Sequence, residues 1–150
     1  MRKGKLNLFP LLLACVMLLS FSGCSSKKTK IEDHNWNFSM VQNREDGQVI
    51  YCATDNKELY DGAEVLDIWC SIDDGIILIS NNDTQETWSL TYSLTDKEPE
   101  TYTYDVIYSG DKEITGIATV GITTKQNEND EYTLIVTIDE YVLYFTEKIP

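Results

Sequence analysis

Thr87-Trp88-Ser89-Leu90-Thr91-Tyr92-Ser93-Leu94 alternates without a break between small hydroxyl residues and large apolar or aromatic ones. Successive side chains of an extended chain point to opposite faces, so this stretch reads as a strand that buries Trp88, Leu90, Tyr92 and Leu94 and wets the other side. The same period of two recurs at Tyr102, Tyr104, Val106 and Tyr108, and again at Tyr132, Leu134, Val136 and Ile138. Working outward, residues 36–42, 49–53, 65–72, 76–80, 113–123 and 141–146 are rich in β-branched and aromatic residues and complete a set of nine candidate strands. Two of the nine could be halves of one bent strand.

The connections carry turn chemistry. Asp46-Gly47 and Asp73-Asp74-Gly75 are hairpin signals, because Gly and Asp tolerate the positive φ that tight turns require. Asn81-Asn82-Asp83, residues 96–99, Ser109-Gly110-Asp111, residues 127–130 and Asp139-Glu140 serve in the same way. Only residues 54–64 form a long connection, with room for a helical turn or a flap. Consecutive strands joined by short loops make an antiparallel meander, and eight or nine such strands remove their exposed edges by closing into an up-and-down barrel. A two-sheet sandwich needs longer crossing connections. The fold class expected is therefore all-β, a closed antiparallel barrel.

With Trp36 at the start of the first strand and Tyr141-Val142-Leu143-Tyr144-Phe145 as the last, residues 34–148 resemble lipocalin-like and avidin-like barrels. His34 stands where the Gly of the lipocalin Gly-x-Trp motif would be, and the resemblance assigns no binding residue. It implies architecture, and fold alone does not establish function.

Ahead of this domain, Arg2, Lys3 and Lys5 precede an apolar run over residues 6–21, and Ser22-Gly23 leads into Cys24. That order is a charged n-region, an apolar h-region and a small-residue cleavage site. A transmembrane helix requires about 20 apolar residues, and this run is shorter and broken by Asn7 and Pro10. Cleavage before Cys15 would leave a very short apolar core. With a cysteine at the first mature position, the segment resembles the lipobox of bacterial lipoproteins, although Phe21 stands where Leu, Val or Ile is usual. The resemblance implies a signal peptide over residues 1–23, a lipid on the Cys24 thiol, and a protein held on the cell membrane facing outside the cytoplasm. Residues 24–33 read as a linker and residues 34–150 as the barrel domain.

From residue 31 onward, 25 acidic side chains meet six cations, a net charge of −19. Such a surface repels nucleic acid, whose phosphates need neutralising cations. Lys27, Lys28 and Lys30 stand beside Cys24, where anionic headgroups attract them. No cofactor is expected and the chain reads as a monomer.

Cys52 and Cys70 remain once the leader is set aside. Both fall on inward faces of neighbouring predicted strands, so an exported chain can join them in a disulfide or bury them as small hydrophobes. His34 is the sole histidine and reads as linker polarity. One histidine at the edge of the domain leaves no Ser-His-Asp or Cys-His constellation and no zinc cluster. No phosphate-binding loop or EF-hand spacing occurs, so the chain does not read as an enzyme.

Aromatic residues are the remaining lead. Trp88, Tyr92, Tyr102 and Tyr104 lie on inward faces and can wall a cavity for a small amphipathic ligand entering near residues 54–64, or can simply fill the barrel. The principal expectation is a non-enzymatic binding lipoprotein with these four as the ligand walls. The alternative is a solid barrel that binds a basic protein partner through its acidic surface, with Trp69, opposite in face to Cys70, as an exposed anchor.

Overall fold

The computed structural model describes residues 30–98, 100–110, 112–123 and 131–148. The segment 1–23 read as a signal peptide, Cys24 as its expected lipidation site, most of the expected linker and the expected turn at 127–130 lie outside the described residues.

Ten strands follow the sequence pattern closely: β1 (Asn37–Asn43), β2 (Val49–Cys52), β3 (Glu64–Val65), β4 (Ile68–Asp73), β5 (Ile76–Asn81), β6 (Thr87–Glu98), β7 (Thr101–Ser109), β8 (Glu113–Thr123), β9 (Glu131–Ile138) and β10 (Tyr141–Lys148). They form one sheet in the order β10-β9-β8-β7-β6-β5-β4-β1-β2-β3, closed on itself by pairing of β10 with β1. Eight strands, β1 and β4 to β10, make the antiparallel meander barrel. β2 and β3 are extra, and β3 runs parallel to β2.

Two boundaries differ from the sequence pattern. The run at 65–72 divides, because Asp67 is tied to the turn after β5: Asn82 donates to it from both backbone N and side-chain Nδ2 at 2.9 Å, and Asp83 accepts from its N–H at 3.1 Å. β6 continues through 96–98, where a turn was expected, since Asp96, Lys97 and Glu98 pair with Thr103, Tyr102 and Thr101. The expected hairpin at Asp74-Gly75 is present. Both residues have positive φ, +45° and +79°, and connect Asp73 directly to its cross-strand partner Ile76.

The alternation puts one face of every barrel strand into a common core: Ile77, Leu90, Val106, Val120, Leu134, Val136 and Phe145 are its most deeply buried members. Tyr102 and Tyr104 are buried with them, while Trp88, Tyr92, Tyr108 and Tyr132 pack against it half-buried. The predicted interior face is thus the real one, except at Leu94. This residue sits beside an irregularity in the β6–β7 register and is exposed.

Candidate functional site

The two ends of the barrel are built differently, and β10 spans both. At the end where β10 finishes, the chain just before β1 folds back as a 3₁₀ turn, Ile31–Asp33, and closes the opening. Ile31 is wholly buried. Its N–H donates to the Tyr104 hydroxyl at 3.1 Å, and its carbonyl accepts from Trp36 Nε1 at 2.9 Å. Tyr92 donates its hydroxyl to Glu32 Oε1 at 2.8 Å, and its ring meets that of Tyr104 edge-on at 5.5 Å. Burial pushes the Tyr104 hydroxyl up to about 12, the Ile31 N–H opposing and the Glu32 charge reinforcing the shift. The Tyr92 hydroxyl is raised too, by burial first and then by the Glu32 carboxylate that accepts its hydrogen bond.

His34 belongs to this plug, which corrects its reading as linker polarity. Its side chain is 1% exposed, and Nδ1 lies 2.6 Å from Glu147 Oε2. A carboxylate only accepts, so Nδ1 is the donor. The ring is packed against Tyr132 and Trp36 at centroid separations of 4.1 and 4.9 Å. Glu147 Oε1 also accepts the Asn35 N–H at 2.9 Å. Apolar and aromatic neighbours make burial of this short segment favourable although its own sequence is polar.

The other end is split. β10 occupies one edge of β1 from Asn37 to Asn43. On the opposite edge, β4 pairs with β1 only at Asn37↔Trp69, and β2 takes over from Met40 to Gln42. β1 and β4 therefore part company halfway along, and a partly enclosed cavity of about 330 Å³ opens between them. Val41 and Leu143 line it together with Ile68 and Ile79, as do Tyr51 of β2 and Leu66, which follows β3. Trp88 and Tyr141 supply further aromatic wall, with ring centroids 6.3 Å apart. Its charged members are Glu64, at the end of the long 54–64 connection, and Glu86, just before β6. Thr84 Oγ1 donates to Glu86 Oε2 at 3.3 Å. Hydrogen bonding with the Glu140 side chain, and then burial, raises the pKa of Tyr141.

Of the four aromatic residues expected to wall a ligand site, Trp88 alone lines this cavity. Tyr92 and Tyr104 are joined to the plug, and Tyr102, under the Lys97 ammonium at 5.2 Å from its ring centroid, lies toward that same end. Tyr141 and Leu143 were legible from the alternation of the last strand. Glu64 and Glu86 were not, since 25 acidic residues offer no local signal to single out two.

The expected Cys52–Cys70 disulfide is not formed: both are free, buried thiols. β2 and β4 meet β1 at different places and do not pair with each other, with Cys52 opposite Met40 and Val65, and Cys70 opposite Ile79. Burial pushes the Cys70 thiol up to about 12. Trp69 is 51% exposed on the outer face, as its alternation with Cys70 implies. Among the described residues no three His, Cys, Asp or Glu side chains converge on a metal-sized site.

Comparison with protein-family models, with curated proteins and with solved structures finds no match to the chain.

Proposed function

We propose that this protein is a membrane-anchored, non-enzymatic, lipocalin-like binding protein that holds a small, largely apolar ligand in the cavity where β1 and β4 diverge. One observation carries the reading: about 330 Å³ of space walled mainly by Val41, Leu66, Ile68, Ile79, Trp88 and Leu143 is within the range of small-molecule pockets and has their apolar character. The location of His34 also argues against catalysis in that cavity, because the imidazole is committed to Glu147 at the plugged end. Attachment through Cys24 suits the geometry. The seven residue-to-residue steps from Cys24 to Ile31 reach at most about 25 Å, so the plugged end would face the membrane. Tyr141 and Glu147, at opposite ends of β10, are separated by roughly 20 Å of strand, which directs the cavity outward.

The test uses the neutral fluorescent probe N-phenyl-1-naphthylamine. Leu66 lies between β3 and β4, outside the strand ladders, so Leu66→Trp fills space without disturbing strand side-chain alternation. Probe fluorescence should rise on binding the wild type, and Leu66→Trp and Trp88→Ala should each weaken binding at least tenfold. Binding that is indifferent to both substitutions places the probe elsewhere and removes the reading.

A second reading rests on Trp69, an indole half exposed on a domain of net charge −19. Here the outer face binds a basic protein. Steep loss of capture with salt, together with its loss in Trp69→Ala, would favour this reading, because an apolar cavity contact is nearly indifferent to salt.

A further inference from the structure

Resting on the cavity reading, we infer that its ligand is a cation: an organic ammonium carried on a compact apolar or aromatic body. The lining contains two carboxylates, Glu64 and Glu86, and no Lys, Arg or His. Neither carboxylate has a cationic partner among the described residues. The remaining polar atoms are largely engaged. Asn81 Oδ1 accepts the Asp83 and Thr84 N–H groups at 2.9 and 3.2 Å, and Thr84 Oγ1 is turned toward Glu86.

Both carboxylates belong to exposed residues that also line the cavity, so they stand at its rim, where a bound ligand can set its polar end against them. A neutral ligand gains nothing from that charge and an anion is repelled by it, whereas an ammonium group is attracted, most strongly at low ionic strength. The walls supply the second half of the recognition. Trp88, Tyr51 and Tyr141 line the cavity, and aromatic rings attract a cation over their faces, best when water is excluded. An alkylated ammonium, weakly hydrated and apolar at its surface, suits rings and aliphatic walls together. A hard metal ion does not, since it demands a shell of six or more oxygens. The excess of acid over the whole domain raises the local concentration of cations and their rate of arrival.

The experiment is calorimetric titration of the full chain with three probes of similar bulk: benzyltrimethylammonium, benzyl alcohol and phenylacetate. At low ionic strength the ammonium should bind at least tenfold more tightly than the alcohol, with phenylacetate weakest. In Glu64→Gln/Glu86→Gln the ammonium should fall to within about threefold of the alcohol, whose own affinity should hold. Asp105→Asn, which removes an exposed acid on β7 away from the cavity, should leave the preference intact. Equal affinity for ammonium and alcohol, or a loss in Asp105→Asn as large as in the double variant, overturns the assignment of ligand class. If the alcohol binds and Leu66→Trp blocks it while the ammonium gains nothing, the cavity reading stands and the cation falls. If no probe binds and Leu66→Trp changes nothing, both fall.

Discussion

The imidazole of His34 and the carboxylate of Glu147 meet at 2.6 Å across 113 residues of sequence, joining the segment before the first barrel strand to the end of the last. Glu147 also holds the Asn35 N–H, so one carboxylate secures two groups of the plug. Glu147→Ala leaves the nearly inaccessible His34 Nδ1 unmatched and gives up the exposed Asn35 N–H to water. The expected loss is about 2–3 kcal/mol of unfolding free energy, read from urea denaturation. An unchanged midpoint would mean that the pairing contributes nothing to the closed end.

Ile31 tests the plug by packing rather than by hydrogen bonding. Its side chain is fully buried, and Ile31→Ala should cost about 2–4 kcal/mol. Tyr104→Phe keeps the ring but removes the acceptor of the Ile31 N–H, which should cost about 1–3 kcal/mol. Backbone amide exchange at Ile31, followed by NMR, should accelerate in Tyr104→Phe more than exchange within β8 and β9. Uniform acceleration throughout would show that the plug does not open separately from the barrel.

The two cysteines should behave as buried thiols. A reducing agent should leave the wild-type thermal midpoint unchanged, and a thiol reagent at pH 8 should label both only after unfolding. Burial raises Cys70 from an ordinary 9.0 to about 12. Between those values the unfolded chain has released the proton while the folded one retains it. The stability attached to this group is therefore complete below about pH 9 and declines as pH rises toward 12. Tyr104, raised from 10.0 to about 12, adds a decline in the same direction. Urea midpoints that stay flat from pH 8 to 11 would contradict both.

Gly116 lies where β8 and β9 come together. A Cβ there would collide with the Thr137 carbonyl oxygen and stand 3.1 Å from Ile138 Cβ. Backbone cannot yield as a flexible side chain does, so Gly116→Ala should destabilise by about 1–3 kcal/mol. Gly121→Ala, with nothing nearer than 3.7 Å, is the control and should cost much less.

Anchoring is tested at Cys24. Mass spectrometry of the membrane-extracted protein should find a diacylglycerol-bearing N-terminal cysteine, and Cys24→Ser should shift the protein out of the membrane fraction. Retention of Cys24→Ser in membranes, with the leader uncleaved, would support an apolar anchor instead.

The strands and hairpins were legible because their causes are local. Period-two alternation from Trp88 through Tyr92 needs only neighbouring residues to declare a buried face, and Asp74-Gly75 declares its turn by tolerating positive φ. Closure followed from chaining these hairpins, since a meander of that length avoids open edges by joining its ends. His34 and Ile31 were not legible, because their burial depends on Glu147, Trp36, Tyr104 and Tyr132, all supplied by other parts of the chain.

By itself, then, the sequence determined an all-β meander and, Leu94 apart, the faces its side chains take, since each rests on order along the chain. Only the tertiary structure decided that β1 shares one edge between β4 and β2, which opens the cavity at that split. It likewise placed Tyr92 and Tyr104 on the plug, Trp88 in the cavity and the two thiols on strands that do not pair with each other. The physical reason is that edge sharing and end closure arise between segments far apart in sequence, where local periodicity carries no information.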